Sequence, residues 1–190
     1  LGGKDAMLVF ADANLERACQ AALYGAFSNS GQVCMSIERL YVESSCFTQF
    51  LAQLQSGLAA LNLGHGDDGD LGCLCSETQF ERLQQQYQDA LAKGATASGP
   101  LKREGNYLHP VILWNVHADM LIMQEETFGP LLAVIAFADA EQAIALANTS
   151  EYGLNGSIWS RDIRKAEQIA ARLQLGNWAI NDVIKNAGHA

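Results

Sequence analysis

Short apolar runs alternate along this chain with segments in which apolar side chains recur every three or four residues. The runs at 6–10, 39–43 and 131–137 have the length and composition of buried strands. Apolar residues recur at helical spacing over residues 15–27 and 47–58. Strands and helices that alternate over short connections predict an α/β fold with a largely parallel sheet.

Polar residues ahead of the periodic segments are typical of helix N-caps. Asp12 precedes the first helix, and Asp139 precedes a predicted helix at 140–149. Ser76 and Gln79 have the spacing of a capping box, in which each side chain binds the other residue's backbone N–H. These residues predict where three of the helices begin.

The remaining segments complete the predicted order of elements. Residues 107–114 are strand-like, but Pro110 favours a sheet edge or the end of a strand. Residues 157–160 predict a strand, residues 162–174 a helix, and residues 177–182 the last strand.

Composition narrows the functional classes. A chain of 190 residues that is 49% hydrophobic can bury one sizeable core. The net charge of −9 disfavours binding to nucleic acid through its phosphates. The longest apolar run, at 131–137, is too short to span a bilayer, so we expect no membrane association. Five cysteines are an odd number for a disulfide framework, which favours free thiols in a reducing, cytoplasmic compartment.

One cysteine has surroundings suited to chemistry. Cys34 lies in FSNSGQVCMS, residues 27–36, a small and polar bend that directly follows an apolar helix. A nucleophilic cysteine must be exposed and partly ionised, and a bend rich in backbone N–H groups favours both. The local residues leave a buried, inert thiol as an open alternative. The other four cysteines are interpreted as structural thiols: Cys19, Cys46, Cys73 and Cys75.

Candidate metal ligands carry weaker signals. Cys73 and Cys75 lie near His65, but their spacing is not that of zinc ligands and no second ligand pair follows. The acidic loop at 64–70 does not match the calcium-binding pattern, so we expect no metal site. The other histidines have no partner spacing for a catalytic triad: His109, His117 and His189.

A second polar segment, QEETFGP at 124–130, leads directly into the apolar run at 131–137. A carboxylate at this junction can accept hydrogen bonds from ligand hydroxyls, and Phe128 can pack on a flat ring. A polar loop with one core aromatic is the alternative interpretation.

Together these segments resemble the aldehyde dehydrogenase superfamily. LGGKDAMLVFADANLERA resembles that family's LGGK…DAD-L segment, and FSNSGQVCMSIER resembles its N-x-G-Q-x-C active-site segment, with Arg39 at the usual arginine. QEETFGPLLAV resembles its E-E-x-F-G-P signature, and NTSEYGLNGSIWSRD and GNWAIND resemble two later strand segments. The order and approximate spacing agree along nearly the whole chain.

The resemblance implies a three-layer fold, with a mostly parallel twisted sheet and helices on both faces. It implies NAD(P)-dependent oxidation of a small-molecule aldehyde to a carboxylic acid, through a thiohemiacetal and a thioester on Cys34. The backbone N–H of Cys34 would supply part of the oxyanion hole. Glu126 would hold the nicotinamide-ribose hydroxyls, and Phe128 would help to place the nicotinamide.

The resemblance also predicts what residues 1–190 lack. The family's general base is the Glu directly before its LGGK segment, and this sequence begins at Leu1. We therefore expect a single catalytic domain truncated at both ends, without the coenzyme-binding domain that would hold most of NAD or NADP. By itself it is expected to be nearly inactive, and to form a homodimer or larger homo-oligomer because family members pair through this domain.

Two other functions stay open for the chain by itself. A cofactor-free cysteine esterase or thioesterase would need only Cys34 and local hydrogen-bond donors. A non-catalytic assembly module would keep the fold for its subunit contacts.

Overall fold

Residues 2–64 and 69–184 are described by a computed structural model, and they form strands and helices in the predicted alternation. The strands are β1 (Asp5–Val9), β2 (Ile37–Glu43), β3 (Thr96–Ala97), β4 (Arg103–Glu104), β5 (Tyr107–Leu108), β6 (Val111–Trp114), β7 (Leu131–Phe137), β8 (Asn155–Trp159) and β9 (Asn177–Ile180). The α-helices are α1 (Leu15–Phe27), α2 (Phe47–Ala59), α3 (Glu77–Ala92), α4 (Leu121–Gln124), α5 (Ala140–Ala147) and α6 (Ile163–Ala170). A 3₁₀ turn, Ser28–Gly31, directly follows α1.

Seven strands form one sheet in the order β3-β6-β7-β2-β1-β8-β9. Neighbouring strands in it run parallel, except that β3 is antiparallel to β6. β4 and β5 form a separate antiparallel pair. Parallel neighbours need crossover connections, and α1, for example, supplies the one from β1 to β2. The mostly parallel sheet confirms the predicted α/β class.

Alternate side chains of the central strands enter separate cores on the two faces of the sheet. Val9 and Val42 pack on one face with residues of α1 and α2. Leu8 and Tyr41 pack on the other face with residues of α5 and α6. The strands β6 and β7 form one end of this second face, and the helices α3 and α4 cover that end. The three layers follow from the two-residue side-chain period of strands and confirm the predicted architecture.

Two predicted N-caps and one predicted strand boundary are confirmed. The side chains of Ser76 and Asp139 accept the backbone N–H of the third residue beyond them, at the starts of α3 and α5. Pro110 separates β5 from β6, so the strand-like segment 107–114 is two strands. Proline lacks the N–H that a continuous ladder would need there.

The predicted N-cap at Asp12 is wrong. The Asn14 side chain accepts the N–H of Arg17 and caps α1. Asp12 lies two residues too early for this contact, and its carboxylate instead accepts a hydrogen bond from the Ser160 hydroxyl just after β8. The aspartate therefore joins two strand ends rather than starting a helix.

His65, and Asp67 and Asp68 of the acidic loop at 64–70, lie outside the described residues, as does the triad candidate His189. Within residues 2–64 and 69–184, none of the helices has the length and apolar character needed to cross a membrane. In the same ranges, no three His, Cys, Asp or Glu side chains are grouped so that they could hold a metal ion.

Candidate active site

Three segments that precede neighbouring strands meet at one edge of the sheet. The strands β7, β2 and β1 lie side by side and run parallel, so their amino ends share this edge. The edge brings together residues 2–4, 32–36 and 126–130, and we call it the amino edge. Parallel α/β sheets more commonly bind ligands at the carboxyl ends of their strands.

Cys34 is exposed on the bend between the 3₁₀ turn and β2, so it is not the buried thiol of the alternative interpretation. The bend begins with a left-handed stretch, in which φ is 51° at Asn29, 56° at Ser30 and 72° at Gly31. A Cβ on Gly31 would lie 2.3 Å from the carbonyl oxygen of Gly129. Glycine at this position therefore allows the bend to pack against the segment before β7.

The polar residues around Cys34 build the bend by binding backbone of a neighbouring segment. The Ser30 hydroxyl donates to the Gly72 carbonyl at 2.7 Å. Gln32 Nε2 donates to the Cys73 carbonyl at 3.0 Å, and Gln32 Oε1 accepts the Cys75 N–H at 2.8 Å. The side chains of Cys73 and Cys75 are exposed, and these two residues contribute backbone contacts to the bend.

Gly3 joins the Cys34 bend to Glu126. Its N–H donates to Glu126 Oε1 at 2.9 Å. A Cβ on Gly3 would lie 2.0 Å from the Cys34 carbonyl oxygen, so the two backbones are in close contact. The neighbouring Gly2 has φ +150°, and a Cβ there would lie 2.9 Å from Glu126 Oε2. Cys34 and Glu126 are remote in sequence, and both contact Gly3 in the structure.

Glu126 and Phe128 lie half-buried in the segment between α4 and β7. Phe128 has φ +47°, a left-handed conformation that is unusual for a bulky residue. Gln79 Nε2 donates to the carbonyls of Thr127 and Phe128, at 2.7 and 2.9 Å. The predicted capping box is therefore correct in one direction only, because the Gln79 backbone N–H binds the Ser76 hydroxyl while its side chain holds this segment.

A buried ion pair that no local motif in the sequence predicts lies beside this segment. Lys4 Nζ is 2.7 Å from Glu38 Oε2, and the two side chains are 0% and 4% exposed. Lys4 also donates to the Thr127 hydroxyl at 2.7 Å. Burial lowers the pKa of Lys4, and the Glu38 carboxylate opposes that shift. The available signal was a pair of opposite charges at the starts of two apolar strands, β1 and β2.

Two further ionisable residues, Arg39 and Asp5, are buried next to Lys4. Arg39 donates from Nε to the Lys4 carbonyl at 2.8 Å and from Nη2 to the Ala147 carbonyl at 3.1 Å, which ties β1 and β2 to the end of α5. Asp5 is 1% exposed, and its Oδ1 accepts the Asn155 N–H at 3.2 Å. Burial raises the pKa of Asp5 to about 8, so this carboxyl holds its proton at neutral pH.

Of the two described candidate histidines, His109 and His117, the first has a side-chain partner. His109 Nε2 lies 2.9 Å from Glu104 Oε1, beside the β4–β5 pair. This contact agrees with a structural histidine.

Comparisons with known proteins agree with this arrangement. A family model described as the aldehyde dehydrogenase family matches residues 1–190. The 4,4'-diapolycopene aldehyde oxidase of Methylomonas sp. is 60% identical over 190 residues, which are 100% of this chain and 36% of that protein. Betaine aldehyde dehydrogenase of Bacillus subtilis (strain 168) is 40% identical over 191 residues, covering 96% of this chain and 39% of that protein.

Solved structures give the same result. NADP-dependent glyceraldehyde-3-phosphate dehydrogenase from Bacillus halodurans C-125, complexed with NADP, has a TM-score of 0.94 and 37% identity over 99% of this chain and 40% of its own. Betaine aldehyde dehydrogenase from Staphylococcus aureus, in complex with NAD⁺, has a TM-score of 0.94 and 35% identity over 100% of this chain and 39% of its own. The chain thus spans less than half the length of these relatives. The resemblance of the sequence motifs is confirmed, and the chain belongs to the aldehyde dehydrogenase family.

Proposed function

We propose that the protein carrying this chain oxidises an aldehyde to a carboxylic acid, with Cys34 as the nucleophile and NAD or NADP as the hydride acceptor. The observation that carries the proposal is the contact of one glycine, Gly3, with both the Cys34 bend and the Glu126 carboxylate. A reactive thiol and a cofactor-binding carboxylate must be neighbours if both act on one substrate.

The chemistry of this chain's own residues begins at the Cys34 sulfur. The thiolate forms a bond to the aldehyde carbon, and the carbonyl π electrons move to the oxygen to give a thiohemiacetal oxyanion. Within residues 2–64 and 69–184, the backbone N–H of Cys34 has no hydrogen-bond acceptor, so it is free to stabilise that oxyanion. After the hydride leaves, Cys34 holds the acyl group as a thioester, which water hydrolyses to the acid and the free thiol.

The residues at the amino edge fit a nicotinamide cofactor. Glu126 Oε1 is held by the Gly3 N–H, whereas Glu126 Oε2 has no hydrogen bond to any other described residue and can accept one from a ribose hydroxyl. Phe128, two residues further along the chain, is half-buried, and its ring offers an apolar surface. NAD(P)⁺ supplies the acceptor for the hydride when it is bound. The choice between NAD and NADP and the larger part of the binding site are proposed to depend on residues outside this chain.

The choice of aldehyde to assay is based on the relatives of this chain, and not on its own residues. The name of the 60% identical relative specifies 4,4'-diapolycopene aldehyde, which makes that aldehyde the first one to assay. A homo-oligomeric state stays a prediction of the family resemblance.

The proposal is tested in the full-length protein by following NAD(P)H formation with an aldehyde and each cofactor. Cys34→Ser is expected to lower kcat by on the order of 10³-fold or more, because the hydroxyl is a much weaker nucleophile. Cys73→Ser is the matched control, since that thiol is also exposed but only its backbone contacts the bend. Equal losses in both variants, or full activity in Cys34→Ser, would refute the assigned nucleophile. Residues 1–190 alone are expected to form little NAD(P)H.

A further inference from the structure

Three side chains from two other elements, Glu38 of β2 and Gln79 and Gln86 of α3, hold the backbone of the segment that carries Glu126 and Phe128. Five backbone groups of residues 126–128 are paired in this way, namely the N–H groups of Thr127 and Phe128 and the carbonyls of all three residues. Connecting segments usually leave many such groups to water. Because these backbone groups are so completely hydrogen-bonded, the surrounding residues determine the conformation of the segment.

Glu38 provides the acceptors for both N–H groups. Its Oε1 accepts the N–H of Thr127 at 3.0 Å and that of Phe128 at 2.8 Å. Its Oε2 lies 2.9 Å from the Thr127 nitrogen and accepts the Lys4 ammonium at 2.7 Å. Hydrogen bonds to a carboxylate are stronger than those between neutral groups, and burial strengthens them further. Lys4 balances the charge that would otherwise be buried alone.

A β-bulge in β2 aims Glu38 at this segment. Asp5 of β1 pairs with Ile37, but the next residue of β1 pairs with Arg39, so Glu38 is the extra residue without a partner on β1. Ile37 and Leu40 consequently enter the same core although they are three positions apart. Bulges redirect side chains next to functional sites. Here the bulge turns the Glu38 carboxylate away from that apolar core and toward the segment before β7.

Gln86 of α3 holds the same segment. This residue of α3 is fully buried, and its Nε2 donates to the Glu126 carbonyl at 3.2 Å. Its Oε1 accepts the Thr127 hydroxyl at 3.0 Å, and that hydroxyl also accepts Lys4. Both ends of the Gln86 amide are therefore committed to residues 126–127.

The backbone of Phe128 needs this support. Its φ of +47° is disfavoured for a residue with a large side chain. Such conformations persist when the surrounding structure over-determines them, and they concentrate at ligand-binding sites. The Phe128 N–H is bound by Glu38 and its carbonyl by Gln79, so both flanking peptide groups are fixed.

We propose that Glu38 and Gln86 are positioning residues that fix Glu126 and Phe128 for the nicotinamide cofactor. The proposal rests on the proposed function, because it needs Glu126 and Phe128 to contact that cofactor. Neither positioning residue has to touch the cofactor or the aldehyde. Their effect is to hold the Glu126 carboxylate where the Gly3 N–H can orient it and to hold the Phe128 ring in its left-handed conformation.

The test compares Glu38→Gln and Gln86→Met with Glu126→Gln in the full-length protein. In Glu38→Gln, an amide replaces the carboxylate that accepts the Lys4 ammonium and the N–H groups of residues 127 and 128. Gln86→Met removes two neutral hydrogen bonds and leaves no buried charge without a partner. Glu43→Gln is the matched control, because Glu43 lies at the other end of β2 and its side chain also accepts a backbone N–H, that of Ala11. The readouts are the KM values for cofactor and aldehyde, and the rate at which iodoacetamide alkylates Cys34 without cofactor.

Glu38→Gln and Gln86→Met are each expected to raise the cofactor KM by about 10-fold, since displacement of a binding group by a fraction of an ångström is costly. The aldehyde KM and the alkylation rate are expected to stay within about twofold, and Glu43→Gln to change nothing. Should Glu38→Gln fail to fold because Lys4 loses its partner, Gln86→Met decides the question.

Three outcomes would overturn the positioning role. A normal cofactor KM in both positioning variants, with a raised KM in Glu126→Gln, removes the positioning role and leaves the proposed function intact. A normal cofactor KM in Glu126→Gln removes its cofactor role and this proposal with it. Equal losses in cofactor KM, aldehyde KM and Cys34 alkylation would show general structural damage instead of positioning.

Discussion

Replacing Gly3 with alanine tests whether Cys34, the proposed nucleophile, depends on the close approach of two backbones. A Cβ at this position would lie 2.0 Å from the Cys34 carbonyl oxygen. A carbon and an oxygen in contact are normally about 3.3 Å apart, so the Cys34 bend has to move by about 1 Å. The Gly3 N–H also orients Glu126, so the carboxylate that we propose binds the cofactor shifts with it. Misplacing a reacting group by about 1 Å costs on the order of 10²-fold in rate.

We therefore expect Gly3→Ala to lower kcat/KM for aldehyde oxidation by on the order of 10²-fold and the free energy of unfolding by about 1–3 kcal/mol. Steady-state NAD(P)H formation and urea denaturation of the full-length protein measure the two effects. Gly72→Ala is the control, because among the described atoms none lies within 4 Å of a Cβ built there, although Gly72 binds the Ser30 hydroxyl. A folded Gly3→Ala variant with rates within about twofold of the parent would show that the reasoning is wrong.

Two further substitutions address the buried ionisable residues Asp5 and Arg39. The raised pKa of Asp5, about 8, means that its contribution to stability is intact below the unfolded pKa of about 3.9 and is lost as the pH rises toward the folded value. The free energy of unfolding of Asp5→Asn relative to the parent protein, measured by urea denaturation, is therefore expected to increase by about 3 kcal/mol between about pH 5 and about pH 7.5. A difference between the two proteins that does not change with pH would contradict this. Arg39→Lys keeps the charge but loses the fork that binds the Lys4 and Ala147 carbonyls, so we expect the free energy of unfolding to fall by about 2–4 kcal/mol. An unchanged denaturation midpoint would show that the fork is not needed.

Side-chain periodicity predicts most of the fold. The apolar run at 131–137 has the same bounds as β7, because seven consecutive apolar residues leave no polar position at which the strand could end. The end of α6 is predicted less well. The apolar period continues to Leu173, which is buried, but α6 ends at Ala170 and the chain continues in turns. Periodicity reports which side chains are buried, and it does not report where the helical hydrogen bonds stop.

The candidate site is predictable only in part, for a similar reason. Cys34, Glu126 and Phe128 come from local motifs and their family resemblance, and the structure places Cys34 and Glu126 in contact with one glycine. Their supporting residues lie in other elements and carry no local motif. The pattern predicts β2 from residue 39, whereas the strand begins at Ile37, so the prediction leaves Glu38 outside the sheet.

The bulge at Glu38 explains why that charge escapes a prediction based on strand alternation. In an unbroken strand, the two-residue period would place Glu38 on the same face as Leu40 and Val42, which pack in an apolar core. An isolated carboxylate there would be strongly destabilising. The one-residue shift in the pairing with β1 removes Glu38 from that face and gives it Lys4 and two backbone N–H groups instead. A charge that violates the apolar pattern near a strand start is therefore informative, because burying it requires both a backbone irregularity and a set of partners. At the amino edge those partners belong to the segment that carries Glu126, so the same irregularity that accommodates the charge also shapes the candidate site.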